Sequence, residues 1–225
     1  MFSFRWTRFL ASDGDGRMSP AAYFSSLPVL ETNRLVLRPL HIQDAKDIFS
    51  YASDPEVARY VLWDPHQSVS ETRSYIRYMR SLSRRGLPSS WAVTLRDSGK
   101  VIGTIGFMWY SEANSAAELG YSLSKSFWNL GYATEALRAV IRSVFAVLPV
   151  NRLEAQHDLR NPASGRVMEK SGMKKEGFSA SASGIKANML MSLYLQSSVP
   201  TLKTNRFKRI IIGLSLIKGR KEAGS

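Results

Sequence analysis

The sequence predicts a single α+β domain, a sheet layered with helices. Three observations carry that reading: helical segments come early, an antiparallel meander of strands follows, and a strand–helix–strand crossover comes after it. With 225 residues, 44% of them hydrophobic, the chain is long enough to bury a sizeable core.

Order begins at ETNRLVLRPL, where Leu35 and Leu37 alternate with Arg34, Val36 and Arg38 at the period of a strand that Pro39 ends. HIQDAKDIFSYASDP predicts a short helix with Ala45, Ile48, Phe49 and Ala52 on one face, stopped at Asp54-Pro55. Ser68 and Glu71 then stand at capping-box spacing and open an amphipathic helix. Tyr75, Ile76, Met79 and Leu82 form its apolar stripe, and Arg73, Arg77, Arg80 and Arg84 form a cationic one. SSWAVTLRDSGKVIGTIGFMWYS reads as two strands joined by a turn at Asp97-Ser98-Gly99, with Trp91, Val93 and Leu95 alternating on one side; AAELGYSLS adds another strand. Residues 132–148 predict a helix with Ala133, Leu137, Val140, Ile141, Val144, Phe145 and Leu148 toward the core and Glu135, Arg138 and Arg142 outward. NRLEAQHDL is a strand, NPASGRVMEKSG a helix and ANMLMSLYLQ the final strand.

Composition narrows the chemistry. With no cysteine the chain has no disulfide, thiolate nucleophile or Cys-ligated metal, and three scattered histidines lack zinc spacing, so no metal is expected. No apolar run approaches the roughly 18 residues of a membrane span, and MFSFRWTRFLAS lacks a secretory apolar centre, so a soluble, cytoplasmic protein is the expectation. Residues 1–27, rich in Gly, Ser, Asp and Pro around ASDGDGRMSP, read as a loose N-terminal leader in which Met18 is a second candidate start. Residues 28–198 read as the domain and 199–225 as a basic C-terminal tail. Of the formal charge of +13, the tail holds seven Lys/Arg against one acid, a net of +6. Its apolar stretch IIIGLSLI is too short to cross a bilayer and suits an added strand or an acidic surface. The arginine stripe and this tail make an acidic or RNA surface a candidate partner, beside the plainer reading of a solvated basic face.

The most informative stretch is WNLGYATEAL. Here a strand passes through a loop with small residues at Gly131 and Ala133 into a helix N-terminus, where free N–H groups and the helix dipole favour anionic oxygens. Close packing is the bland alternative for such a Gly and Ala. The loop has neither the Gly-Lys-Ser/Thr of a Walker loop nor the third glycine of a Rossmann fingerprint. It resembles the pyrophosphate-binding loop of the GNAT superfamily of N-acetyltransferases, Gln/Arg-x-x-Gly-x-Gly/Ala, over Trp128, Asn129, Leu130, Gly131, Tyr132 and Ala133. Trp128 departs from the broad signature, but W-x-x-G-Y-A-T-E-A is similar to the branch containing the ribosomal-protein-alanine N-terminal acetyltransferases. That branch usually has Gly and then Lys or Arg where this chain has Asn129 and Leu130. TNRLVLRPLHIQDA with SDPEVARYV, and RLEAQHDLRNPASGRVMEKSGMKKEG, resemble the same branch in the same order, so the likeness covers roughly residues 28–197.

The resemblance implies a GNAT-type fold, a mixed and mainly antiparallel central sheet with helices on both faces whose strands splay at an acetyl-CoA site. It implies phosphate contacts from the loop residues and Thr134, backbone amides near Leu123 at the thioester carbonyl, Asn161 on the pantetheine arm, and Ser164 near the sulfur as a proton donor. From the residues alone Asn161 is equally a helix cap ahead of Pro162, and Ser164 an ordinary first-turn serine. Acetyl transfer needs a neutral amine, a polarised carbonyl and a stabilised leaving thiolate. Glu118 is the first candidate base, against a plain strand carboxylate paired with an arginine; His157 is the second, against a packed histidine. The acceptor implied is a primary amine, a protein N-terminus of ribosomal-protein type, with a small-molecule amine (polyamine, aminoglycoside or amino-acid derivative) as the other enzymatic reading. A non-catalytic relative binding acyl-CoA or RNA is the rival class, and pairing as a homodimer is common in the superfamily.

Overall fold

The computed structural model describes residues 18–180 and 187–194. Eight strands form one sheet: β1 (Leu30–Glu31), β2 (Leu35–Pro39), β3 (Ser90–Leu95), β4 (Val101–Ser111), β5 (Ala116–Leu123), β6 (Arg152–Asp158), β7 (Lys174–Ala180) and β8 (Ala187–Tyr194). Their order across the sheet is 1-2-3-4-5-6-8-7, and every neighbouring pair is antiparallel except β5 and β6. The parallel pair requires a crossover, and the long helix between β5 and β6 supplies it. The mixed, mainly antiparallel sheet expected from the sequence is therefore the one observed.

Strand alternation sorts the helices onto two faces. Leu35, Leu37, Trp91, Val93, Leu119 and Leu123 point to a core shared with α5 (Tyr132–Val147) and α6 (Pro162–Lys170). Ala92 and Val101 point the other way, to a second core with α2 (Ala45–Ala52) and α4 (Val69–Arg84). The chain enters α4 through Ser68, whose hydroxyl accepts from Glu71 N–H, while the Glu71 carboxylate returns to Gln67 N–H rather than to Ser68. Asp54-Pro55, expected as a stop, does end α2 but also starts α3 (Pro55–Ala58), with Asp54 capping Glu56 N–H. Among the described residues no helix is long and apolar enough to cross a membrane.

Elements besides α3 also escaped the sequence pattern. Residues 18–27, assigned to a loose leader, are ordered and carry α1 (Pro20–Ser25), whose Tyr23 and Phe24 are 1% exposed. Tyr23 Oη meets Ser143 Oγ of α5 at 3.0 Å, so this segment packs into the main core. β1 is two residues long, too short for a period. β7 reads KKEGFSA, polar and without alternation, and lies at the sheet edge paired with β8, with ion pairs from Glu176 to Arg152 and from Lys175 to Glu169. Residues 1–17 of the leader and the tail 199–225 lie outside the described residues.

Candidate functional site

The parallel ladder between β5 and β6 runs from Ala116↔Arg152 to Leu119↔Ala155 and stops there, although β5 continues to Leu123 and β6 to Asp158. Past that rung the two strands part and leave a wedge, the splay that the sequence reading expected. Both strands lead from the wedge into helices, so the N-termini of α5 and α6 stand at its open end.

Between β5 and α5 the backbone turns through Trp128–Gly131. The Trp128 indole N–H donates to the Leu123 carbonyl at 2.7 Å and folds the loop back on the strand end. Asn129 has φ 60° and Gly131 φ 81°, both in the left-handed region. Glycine enters it freely, and asparagine tolerates it better than other side chains. Asn129 can therefore hold a left-handed turn at the position where the resembled branch has glycine. A Cβ on Gly131 would meet only the Arg34 guanidinium, at 3.5 Å, so torsion and not crowding requires glycine there. Whereas α4 and α6 are capped by the Ser68 and Asn161 side chains, no side chain caps α5, and the amides of its first turn, at Tyr132, Ala133 and Thr134, are left for another acceptor.

Arg34 holds this turn from outside. Its Nη1 donates to the Leu130 carbonyl at 3.0 Å, its Nε donates to Glu135 Oε2 at 2.7 Å, and its guanidinium lies 4.1 Å from the centre of the Tyr132 ring. Thr32 Oγ1 donates to Glu135 Oε1 at 2.6 Å. Burial alone would raise the Glu135 carboxyl, but the Thr32 and Arg34 hydrogen bonds outweigh it and hold the group below the usual carboxylate range. Glu135 was expected to face solvent; instead it bolts the β1–β2 turn to α5. Beside it lies a groove of about 400 Å³ whose wall includes Gly131, Thr134, Arg138, Arg142 and Lys170. With Arg34 and Glu135 paired, the remaining charge there is positive.

At the other helix, Asn161 Oδ1 accepts from Ser164 N–H at 3.2 Å, a capping bond, and Pro162 follows at the first helical position. Ser164 Oγ lies 2.9 Å from Tyr121 Oη across the wedge. His157 packs beneath α6: its Nδ1 is 3.0 Å from the Asp158 carbonyl, and its Nε2 is enclosed without a hydrogen-bond partner where a Cβ on Gly165 would come within 2.7 Å.

Glu118 sits on the rung before the last, opposite Glu154, and, by strand alternation, on the opposite sheet face from Tyr121 and Leu123. It is 9% exposed, and its Oε2 accepts from the Trp109 indole at 2.5 Å and from Gln156 Nε2 at 3.3 Å. The arrangement gives two approaches to one opening, a cationic face with unsatisfied amides on the α5/α6 side and a buried carboxylate on the other. Arg34, Tyr121 and Trp109 were not singled out from sequence. Tyr121 was within reach of the alternation that places Leu123; Arg34 and Trp109 gave no local signal.

A family model described as an acetyltransferase (GNAT) domain matches residues 34–174. An N-acetyltransferase of Bacillus licheniformis named p20, itself uncharacterized, is 34% identical over 151 residues, 67% of this chain and 85% of its own length. The alanine N-acetyltransferase of ribosomal protein uS5 from Escherichia coli (strain K12) is 27% identical over 166 residues, 69% of this chain and 84% of its own. Among solved structures, the ribosomal α-N-protein acetyltransferase RimL in complex with coenzyme A shares the fold with a TM-score of 0.67 at 19% identity, over 76% of this chain and 99% of that one.

Proposed function

This chain belongs to the GNAT acetyltransferase family and is an N-acetyltransferase, and from that premise we propose that it transfers the acetyl group of acetyl-CoA to a protein N-terminus of ribosomal-protein type. The observation that carries the cofactor half is the turn at 128–131. Two left-handed residues feed a helix whose first-turn amides lack a cap, at the mouth of the wedge and beside a basic groove. Oriented amides at a helix N-terminus bind phosphate oxygens, and in this reading the loop from Trp128 to Thr134 holds the diphosphate while Arg138 and Lys170 add positive potential. The fold neighbour solved with coenzyme A supports the assignment, and the relative acting on ribosomal protein uS5 supports the acceptor class.

Acetyl-CoA is a substrate here, and the protein's residues divide the work around it. Glu118 takes one proton from the incoming ammonium, directly or through water, so that nitrogen can attack the carbonyl carbon. The N–C bond forms, the C–S bond breaks with its electron pair on sulfur, and the second proton of the nitrogen passes to the thiolate or to water, leaving the neutral amide. Backbone amides near Leu123 stabilise the carbonyl oxygen, and Ser164 hydrogen-bonds the departing sulfur. Asn161 keeps α6 in place and borders the pantetheine arm. Glu118 is preferred to His157 because the ring nitrogen His157 would use is enclosed against Gly165.

Two measurements test the reading. Acetyl-CoA and coenzyme A should each raise the melting temperature, since a ligand at about 100 times its Kd stabilises by about 2.7 kcal/mol; no shift at millimolar ligand overturns the cofactor site. A thiol-release screen should then favour N-terminal peptides over polyamines, aminoglycosides and amino-acid derivatives; the reverse ranking overturns the acceptor class.

A further inference from the structure

Tyr121 stands two residues before Leu123 on β5, so strand alternation directs it to the same face, beneath α6. Its hydroxyl lies 2.9 Å from Ser164 Oγ and 3.0 Å from the Ser164 carbonyl oxygen. It sits where β5 and β6 have already parted, past the last rung at Leu119↔Ala155, so the contact ties β5 to the first turn of α6 across the wedge. Burial pushes the phenol far above its usual range, outweighing the opposing Ser164 hydrogen bond. Tyr121 therefore keeps its proton at any working pH and presents a donor.

A carbonyl oxygen can only accept, so at the Ser164 carbonyl the phenol is the donor, whereas at the 2.9 Å contact with Ser164 Oγ either oxygen can donate. We propose that Tyr121 is a positioning residue for the transfer reaction, donating to Ser164 so that the serine's own O–H is free to point into the wedge at the sulfur. The inference rests on the reading of Ser164 as the hydrogen-bond partner of that sulfur. With the opposite polarity, Ser164 would spend its proton on Tyr121 and leave the sulfur without this donor. No bond to Tyr121 forms or breaks in the reaction; its contribution is to fix the serine rotamer and polarise its O–H. A hydroxyl that is itself hydrogen-bonded donates more strongly.

The test is the ionisation of the thiol of bound coenzyme A, followed by thiolate ultraviolet absorbance in wild type, Tyr121→Phe, Ser164→Ala and the double variant. Phenylalanine keeps the ring and its packing. In wild type the bound thiol should titrate below the free thiol. Tyr121→Phe and Ser164→Ala should each raise it by about one unit, the scale of one hydrogen bond to a charged group, and the double variant no further than Ser164→Ala. With acetyl-CoA and an accepted amine, kcat should fall about tenfold in Tyr121→Phe while KM for acetyl-CoA is unchanged. A Tyr121→Phe variant that titrates like wild type, or effects that simply add in the double variant, overturn the inference alone. A wild-type protein that binds no coenzyme A overturns the site reading and this inference with it.

Discussion

The Arg34 guanidinium and the Glu135 carboxylate meet at 2.7 Å, although 101 residues separate them in the chain. Together with the 3.0 Å bond from Arg34 to the Leu130 carbonyl, the contact fastens the β1–β2 turn to both the loop and the helix that follows it. These contacts hold the loop in its turned conformation before any ligand arrives. Preset loops lose less entropy on binding.

Arg34→Lys keeps the charge and loses the planar fork that reaches Glu135 and Leu130 together. It should weaken coenzyme A binding several-fold in titration calorimetry while costing about 1 kcal/mol or less of folding stability, since the Arg34 side chain is 44% exposed. Equal affinities in the two proteins would show that the loop is set without Arg34.

Because the folded-state carboxyl of Glu135 lies below its ordinary value of 4.5, its contribution to stability is present above that value and lost as pH falls through the lower, folded one. Wild type should therefore exceed Glu135→Gln in urea-midpoint stability at neutral pH, and the gap should narrow only below the usual glutamate range. A gap independent of pH down to the acid transition would assign the effect to packing.

Gly131→Ala imposes a side chain on a φ of 81° where there is room for the atom. The cost is torsional, about 1–2 kcal/mol, read as a melting-temperature loss of about 2–8 °C for a chain of this size. Asn129→Gly should be nearly neutral and Asn129→Val destabilising, because a β-branched residue is the poorest occupant of a left-handed position. Equal melting temperatures for the two Asn129 variants would contradict this account of the turn.

Gly165→Ala drives a methyl to 2.7 Å from His157 Nε2 and should destabilise by about 1–3 kcal/mol through overpacking. In a His157→Ala background the same change meets no ring and should be neutral or stabilising by up to about 1 kcal/mol, the helical preference for alanine over glycine. Additive losses would place the cost of the methyl elsewhere than on the histidine ring.

Glu118→Gln removes the proposed base but keeps a side chain that can accept from Trp109. We expect kcat to fall about 10²–10⁴-fold, the usual contribution of a positioned general base, with the coenzyme A thermal shift preserved. A full rate across pH 6 to 9 would remove Glu118 from that role.

Segments whose information is local were legible in the chain. The period-two leucines 35 and 37, the cap at Ser68, the Asn161-Pro162 start and the Gly131 turn each depend on residues within a few positions of one another, and all appear where the pattern put them. The outward assignment of Glu135 failed because helical periodicity counts faces on an isolated helix and has no knowledge of a hairpin turn docked against one of them. α1 was missed because Gly, Ser and Pro around it outweigh two aromatic residues in any composition window, while its stability comes from burial against α5.

The amino-acid order alone specified the two helix N-termini, the small-residue turn and a strand–helix–strand crossover after the meander. It did not specify that the β5–β6 ladder would end at Leu119↔Ala155, that Tyr121 would reach Ser164 43 residues away, or that Arg34 would grip a loop some 100 residues on. Those contacts are pairings between distant segments, and their energies exist only once hydrophobic burial has closed the loops between them. Propensity and capping act within a turn of the chain, so they leave such pairings undetermined.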